Sequence, residues 1–260
     1  MGYSSVCLAR SALNPVVSIQ GGVDVSNHPL VARLVKGVFH SRPPLPRYTE
    51  VWDIGKVINY VRNLGDNGRM SLKELTLKVT TLISILTCQR VSSVTQLSVS
   101  NTHLEGEQVT FVPVRLAKHD RPGRKIRKIT VKAYPEDPNV CIVQALRSYM
   151  DRRPTRSEDQ LLLTHRKPVK AASKDTIARW LKQVLVLAGV SDTIFGAHSY
   201  RGASSSGAKI ASVPISKILR RGQWASEDTW RRHYDLNVQG YPSSDEEDET
   251  TNPLLDRFAV

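Results

Sequence analysis

Four short pieces of this chain carry side chains able to act on a phosphate, and they lie far apart in sequence. Arg90 closes a long apolar stretch in Cys88-Gln89-Arg90. Lys118 sits in Leu116-Ala117-Lys118-His119, at the mouth of a basic turn. In Ala197-His198-Ser199-Tyr200-Arg201 a histidine and an arginine stand at i and i+3. That spacing puts both on one helix face, so both can reach the same phosphate. Gly222-Gln223-Trp224 then precedes Tyr234, with an amphipathic helix between them. Taken singly, each piece has an ordinary reading. An arginine after a core helix is usually solvated or capping, a turn lysine is usually solvated, and His-x-x-Arg pairs recur by chance. A tyrosine on an amphipathic helix is usually a half-buried packing residue, and Trp230 reads as core.

The elements that must position these residues can be traced from periodicity. Trp52 to Leu64 reads as a helix stopped by Gly65-Asp66-Asn67-Gly68. Ser71 with Glu74 is a capping-box pattern that opens a long helix. Its Leu72, Leu75, Val79, Leu82, Ile83 and Leu86 share one face leading to Arg90. Alternation of period two over 109–112 and 126–131 predicts two antiparallel strands around Lys118 to Arg124, with Pro122-Gly123 as turn. Helices are expected over 140–150, over 174–188 behind the cap Ser173, from His198, after Pro214, and over 226–236. The fold class is therefore mainly α with a small antiparallel β-sheet, an α+β domain.

Upstream, residues 1–41 hold short apolar stretches broken by Pro15, Gly21-Gly22 and Pro29. Within them Leu30, Leu34, Val35 and Val38 have helical spacing. Arg42-Pro43-Pro44-Leu45-Pro46-Arg47 cannot continue a helix and favours a stiff extended linker. The expected organisation is a small helical region over 1–41, a linker over 42–47, a main domain over 48–240 and an acidic tail over 241–260.

Charge points to a polyanionic partner. Lys plus Arg number 37 against 24 acids, a net +13. The last twenty residues hold six acids and one base, so residues 1–240 carry +18. Cys7, Cys88 and Cys141 are odd in number and far apart, which reads as buried thiols in a reducing compartment. No stretch reaches the roughly 18 apolar residues of a membrane span. An intracellular, non-secreted protein without membrane association is expected, and no metal-ligand spacing is visible.

In this order, the pieces resemble the tyrosine-recombinase, or phage-integrase, family. The finer texture resembles recombinases of DIRS-like retrotransposons and Crypton-type elements. The similar segments include HPLVARLVKGVF, RPPLPRY, SLKELTLKVTTLISILTCQR, KHDRPGR, AYPEDPNVC, SKDTIARWLKQVL, AHSYRGASS and GQWASEDTWRRHYD. The resemblance implies a recombinase catalytic domain preceded by a partial helical core-binding domain. It implies a catalytic set of Arg90, Lys118, His198, Arg201, Trp224 and Tyr234. Arg90 and Arg201 would clamp the phosphate oxygens, and Tyr234 would attack phosphorus. A tyrosine hydroxyl ordinarily titrates near about pH 10, so a base is needed at neutral pH, for which His198 is the candidate. Lys118 would protonate the leaving 5′ oxygen, and Trp224 would pack beneath the phosphate.

The same resemblance implies double-stranded DNA as substrate, a homo-oligomer, expected as a tetramer, on that DNA, and no cofactor or metal; the protein is expected in the nucleus, or wherever its target DNA resides. Arg121, Arg124, Lys125, Arg127 and Lys128 crowd the hairpin. They would contact DNA backbone, against the plainer reading of a charged strand edge kept from aggregating. A rival class is a truncated or repurposed DNA-binding protein without turnover, to which the short region before the linker points. A type IB topoisomerase would use similar chemistry, but its larger lobes have no counterpart here.

Overall fold

The computed structural model describes residues 1–22, 24–44, 48–113, 128–154 and 158–241. It divides into two units, Met1–Arg47 and Tyr48–Val260. The first is a pair of helices, α1 (Tyr3–Gly21) and α2 (Pro29–Ser41). The expectation of short broken stretches needs correcting here, because α1 runs through Pro15. A proline removes one backbone donor. The stripe Tyr3, Val6, Cys7, Arg10, Asn14 and Val17 is half-buried at helical spacing and outweighs that loss. Gly22, at φ 66°, ends α1 and donates its N–H to Ser18. Asp24 Oδ1 accepts the Ser26 and Asn27 N–H groups. His28 Nδ1 then caps α2, and Tyr3 packs edge-on to Phe39 at 5.2 Å. Cys7 is half-exposed rather than buried, whereas Cys88 and Cys141 are buried as expected.

In the second unit, β1 (Glu50–Val51) and α3 (Ile54–Asn63) lead to α4 (Leu72–Thr87), around which the rest is built. The capping box forms: Ser71 Oγ accepts the Glu74 N–H at 3.2 Å, and Glu74 accepts the Ser71 N–H at 2.8 Å. From Leu75 to Ile85 every α4 residue is buried, polar ones included. Thr80, Ser84 and Thr87 lie in this apolar setting because each donates its hydroxyl to the carbonyl four residues back, at 2.6–2.8 Å. Lys78, wholly buried, donates to the Gly65 carbonyl at 3.1 Å. Burial pulls its ammonium down to about 8, although Asp137 and Asp66 oppose the shift.

After α4 come α5 (Val91–Val94), β2 (Thr102–Glu105), β3 (Gln108–Phe111) and β4 (Ile129–Lys132). They form an antiparallel sheet in the order β2-β3-β4, with Val109 opposite Val131. The two expected strands thus pair, while β2, with Leu104 as its one apolar residue, joins as an edge. Val109 and Phe111 face the core, and on the other face Thr110 and Thr130 share a 3.0 Å hydrogen bond. The chain continues through α6 (Ile142–Arg152), α7 (Lys174–Leu187), α8 (Ser199–Ile210), α9 (Ile215–Gly222), α10 (Glu227–Tyr234) and β5 (Asn237–Val238). α6, α7 and α8 pack on α4. β5 pairs in parallel with β1, Val51 opposite Val238.

Candidate active site

Arg201 lies on the first turn of α8 and is 2% exposed. Its Nη1 donates to the carbonyl of Cys88. Cys88 ends α4 in the left-handed conformation (φ 50°), which turns that carbonyl away from its own helix. The same bend delivers Arg90 to the N-cap of α5, close enough for its charge to act on Arg201. Burial lowers the Arg201 pKa to about 10; Tyr234 counters this shift, and the like-charged Arg90 adds to it. The guanidinium is therefore still cationic at neutral pH.

Aromatic rings enclose this cation. Its Cζ stands 3.8 Å from the centre of the Trp224 ring and 5.1 Å from that of Tyr234. Trp224 and Tyr234 meet edge-on at 5.1 Å, and the His198 ring centre is 6.1 Å from that of Tyr234. Tyr234 is 9% exposed, whereas His198 faces solvent at the N-cap of α8. Three buried donors here have no hydrogen-bond acceptor among the described residues: Nε and Nη2 of Arg201 and Nε1 of Trp224. A buried donor left unmet costs about 1–3 kcal/mol, and more when charged. No carboxylate pairs with Arg201 among the described residues. A donor set of this kind, beside a phenol, suits an oxyanion arriving from outside.

Local sequence explains the placement of Trp224. α9 ends with Gln223 left-handed at φ 57°, and the Trp224 N–H returns to the Leu219 carbonyl at 3.0 Å. The indole then lies on Gly222, where an added Cβ would sit 1.8 Å from its Cζ3. Only glycine lets the ring come this close. Gln89 Nε2 bonds the carbonyls of Thr87 and Arg221, both at 3.2 Å, and so ties the Arg90 segment to α9. At the far side, Ser206 Oγ donates to the Tyr234 carbonyl at 2.7 Å.

Arg90, His198, Arg201, Trp224 and Tyr234 are thus gathered in one place. Lys118, Arg121, Arg124, Lys125 and Arg127 lie outside the described residues, as does most of the acidic tail. Lys128 is exposed and lines a different feature. This is a cleft of about 430 Å³ with Lys132, Lys217, Arg220 and Arg221 on its rim and Ile85 among its apolar walls. Sequence reasoning missed Gly222, the Cys88 carbonyl, Gln89, Ser205 and Ser206. Gly-Gln at the end of a helical stretch hinted at the first of these; nothing local marked the others.

No protein-family model matches the sequence, and no curated protein does. Solved structures do match in fold. The XerH site-specific recombinase bound to difH substrate, in its pre-cleavage complex, superposes with a TM-score of 0.54 at 16% identity. That match covers 89% of this chain and 66% of the other. A lambda integrase dimer bound to a COC′ core site gives 0.54 at 13%, covering 95% and 78%. XerA recombinase gives 0.50 at 17%, covering 88% and 78%. Against XerH in its post-cleavage complex, the match spans 48% of the recombinase chain. At these identities the likeness is one of fold. Helices with a small antiparallel sheet are here arranged as in the catalytic domain of tyrosine recombinases.

Proposed function

We propose that this protein cuts and rejoins DNA strands through a transient bond between Tyr234 and a 3′ phosphate. The observation that carries the reading is the buried Arg201 cation, held against Trp224 and Tyr234, with two N–H groups and the indole N–H unmet among the described residues. The shared fold with DNA-bound recombinases supports it, and so does the surplus of positive charge.

In this mechanism Arg201 and Arg90 hold the non-bridging oxygens of the scissile phosphate, with the Trp224 N–H as a further donor. The Tyr234 oxygen attacks phosphorus in line and passes its proton to His198. The bond from phosphorus to the 5′ oxygen breaks as that oxygen takes a proton from Lys118. One P–O bond forms and one breaks, leaving a 3′-phosphotyrosine and a free 5′-hydroxyl. Attack by the 5′-hydroxyl of another strand reverses the step and joins new partners without an outside energy source. General acid–base help of this kind is typically worth about 10²–10⁴-fold. Double-stranded DNA is the substrate in this reading, a homotetramer the working assembly and the nucleus its place. The segments that resemble those of DIRS-like and Crypton-type recombinases favour a mobile-element origin.

The test uses a pool of nicked duplexes with a randomised centre, which release a short fragment on cleavage and trap the intermediate. Sequencing the DNA of any adduct isolated on a denaturing gel also identifies the target. The expected adduct is absent from Tyr234→Phe. An adduct that persists in that variant would refute the nucleophile. Tight binding with no adduct from the parent chain would make this a DNA-binding protein without turnover.

A further inference from the structure

Tyr234 is the last residue of α10, and its position depends on how that helix ends. The carbonyls of a last helical turn have no partner within their own helix. Much of α10 is exposed, so Trp230, the Tyr234 ring and the carbonyl end are what hold it. Ser206 on α8 meets that end. Its Oγ donates to the Tyr234 carbonyl at 2.7 Å and accepts the Leu236 N–H at 3.1 Å. A hydroxyl has one proton and two lone pairs, so this single group joins the helix end to the strand that follows.

Its neighbours on α8 use their protons within the helix: Ser204 donates to the Tyr200 carbonyl at 2.7 Å, and Ser205 to that of Arg201 at 2.9 Å. Ser205 also approaches the Tyr234 carbonyl, at 3.4 Å. One turn on, Lys209 Nζ grips both carboxylate oxygens of Asp235, at 2.8 and 3.0 Å. Gly202 opens the space beside them; a Cβ there would lie 3.3 Å from Val51 Cγ1 and 3.7 Å from Leu236 Cδ1.

We infer that Ser206 is a positioning residue, a hydroxyl latch that sets Tyr234 against Arg201 within the same chain. The inference rests on the phosphotyrosyl reading above and deepens it. α8 bears Arg201 on its first turn and holds the Tyr234 backbone on its second, so clamp and nucleophile share one rigid frame. Without the latch the eight-residue α10 keeps its core tryptophan, but its last residue loses its register with the clamp. A misplacement of about 1 Å can slow a reaction on the order of 10²-fold.

The test labels the whole chain with 3-fluorotyrosine and assigns the residue 234 line by its loss in Tyr234→Phe. For Ser206→Ala, that ¹⁹F line is expected to shift and broaden. Adduct formation on the trapped DNA should slow by roughly ten- to a hundredfold, with DNA affinity by fluorescence anisotropy unchanged. An unmoved ¹⁹F line, or an adduct rate equal to that of the parent, would overturn the latch. If Ser206→Ala does not fold, Asp235→Asn decides: it loosens the same helix end from Lys209, and the line must move. Should the parent chain form no adduct, the functional reading fails on its own, while the ¹⁹F line still judges the latch.

Discussion

Lys78 and Arg201 are both cations buried within helices, at 0% and 2% exposure, and they differ in what surrounds them. Lys78 gives a proton to the Gly65 carbonyl and has Asp66 and Asp137 close enough to support its charge. Arg201 donates to the Cys88 carbonyl and is supported by Tyr234, but faces the like charge of Arg90 and keeps two N–H groups unmet among the described residues. The first cation is supported by a carbonyl and two nearby carboxylates, as expected of a residue that ties a loop to the core helix. The second leaves donors unmet among the described residues, and the proposed phosphate would meet them. Burial alone does not distinguish structure from function; what sets Arg201 apart is unmet donors on a cation that stands beside Trp224 and Tyr234.

Exchanging the two cations tests this contrast most directly. Arg201→Met is expected to lower adduct formation by about 10²–10³-fold, the usual effect of losing a charge-stabilising donor. Its thermal midpoint should not fall, because an apolar side chain replaces an incompletely paired buried charge. A large drop in midpoint would mean that Arg201 is structural like Lys78. Lys78→Ala should do the reverse, destabilising by about 2–4 kcal/mol through loss of a buried stem. Adduct formation per folded molecule should be unchanged, as equilibrium unfolding and single-turnover assays would show.

Gly222→Ala sharpens the view of the functional side. The new methyl collides with the Trp224 ring, and overpacking of this kind costs about 1–3 kcal/mol. A shift in tryptophan fluorescence with slower cleavage is expected; wild-type rate and stability would show that the indole has room to move.

A pH titration separates the two cations again. The folded-state pKa of Lys78 is depressed from 10.5 to about 8. Between those values the unfolded chain binds a proton that the folded chain does not, so stability rises with pH through this window. The parent should therefore gain stability relative to Lys78→Met from pH 8 upward. A constant difference between the two would mean that burial does not shift this lysine.

The smallest effect belongs to the basic surface. If Lys128 contacts a phosphate, Lys128→Ala should reduce the slope of log affinity against log salt by about one. An unchanged slope in an anisotropy titration would remove it from the interface.

Much of the frame is legible residue by residue. Ser71 and Glu74 announce the start of α4, because a capping box is a local exchange of hydrogen bonds. The alternation of 109–112 and 126–131 announces β3 and β4, because strand faces repeat every two residues. The observed strands span Gln108–Phe111 and Ile129–Lys132, and residues 126–127 lie outside the described residues. α1 is hard to see, since Pro15 reads as a break until the half-buried stripe against α2 is known. β1 and β5 are harder still: each is two residues long, and they pair where both pack on α8.

The amino-acid sequence by itself determined which chemistry is available and in what order its parts are strung, because residue type and helical spacing are local properties. It put His198 and Arg201 on one helix face and gave Tyr234 an amphipathic helix to ride on. Only the tertiary structure decided that Arg201 would be buried, that Cys88 would supply a carbonyl to it, and that Trp224 and Tyr234 would enclose it. Those contacts join residues more than a hundred positions apart as well as neighbouring helices. They arise from long-range packing, in which a donor's burial and the absence of its acceptor depend on the whole fold.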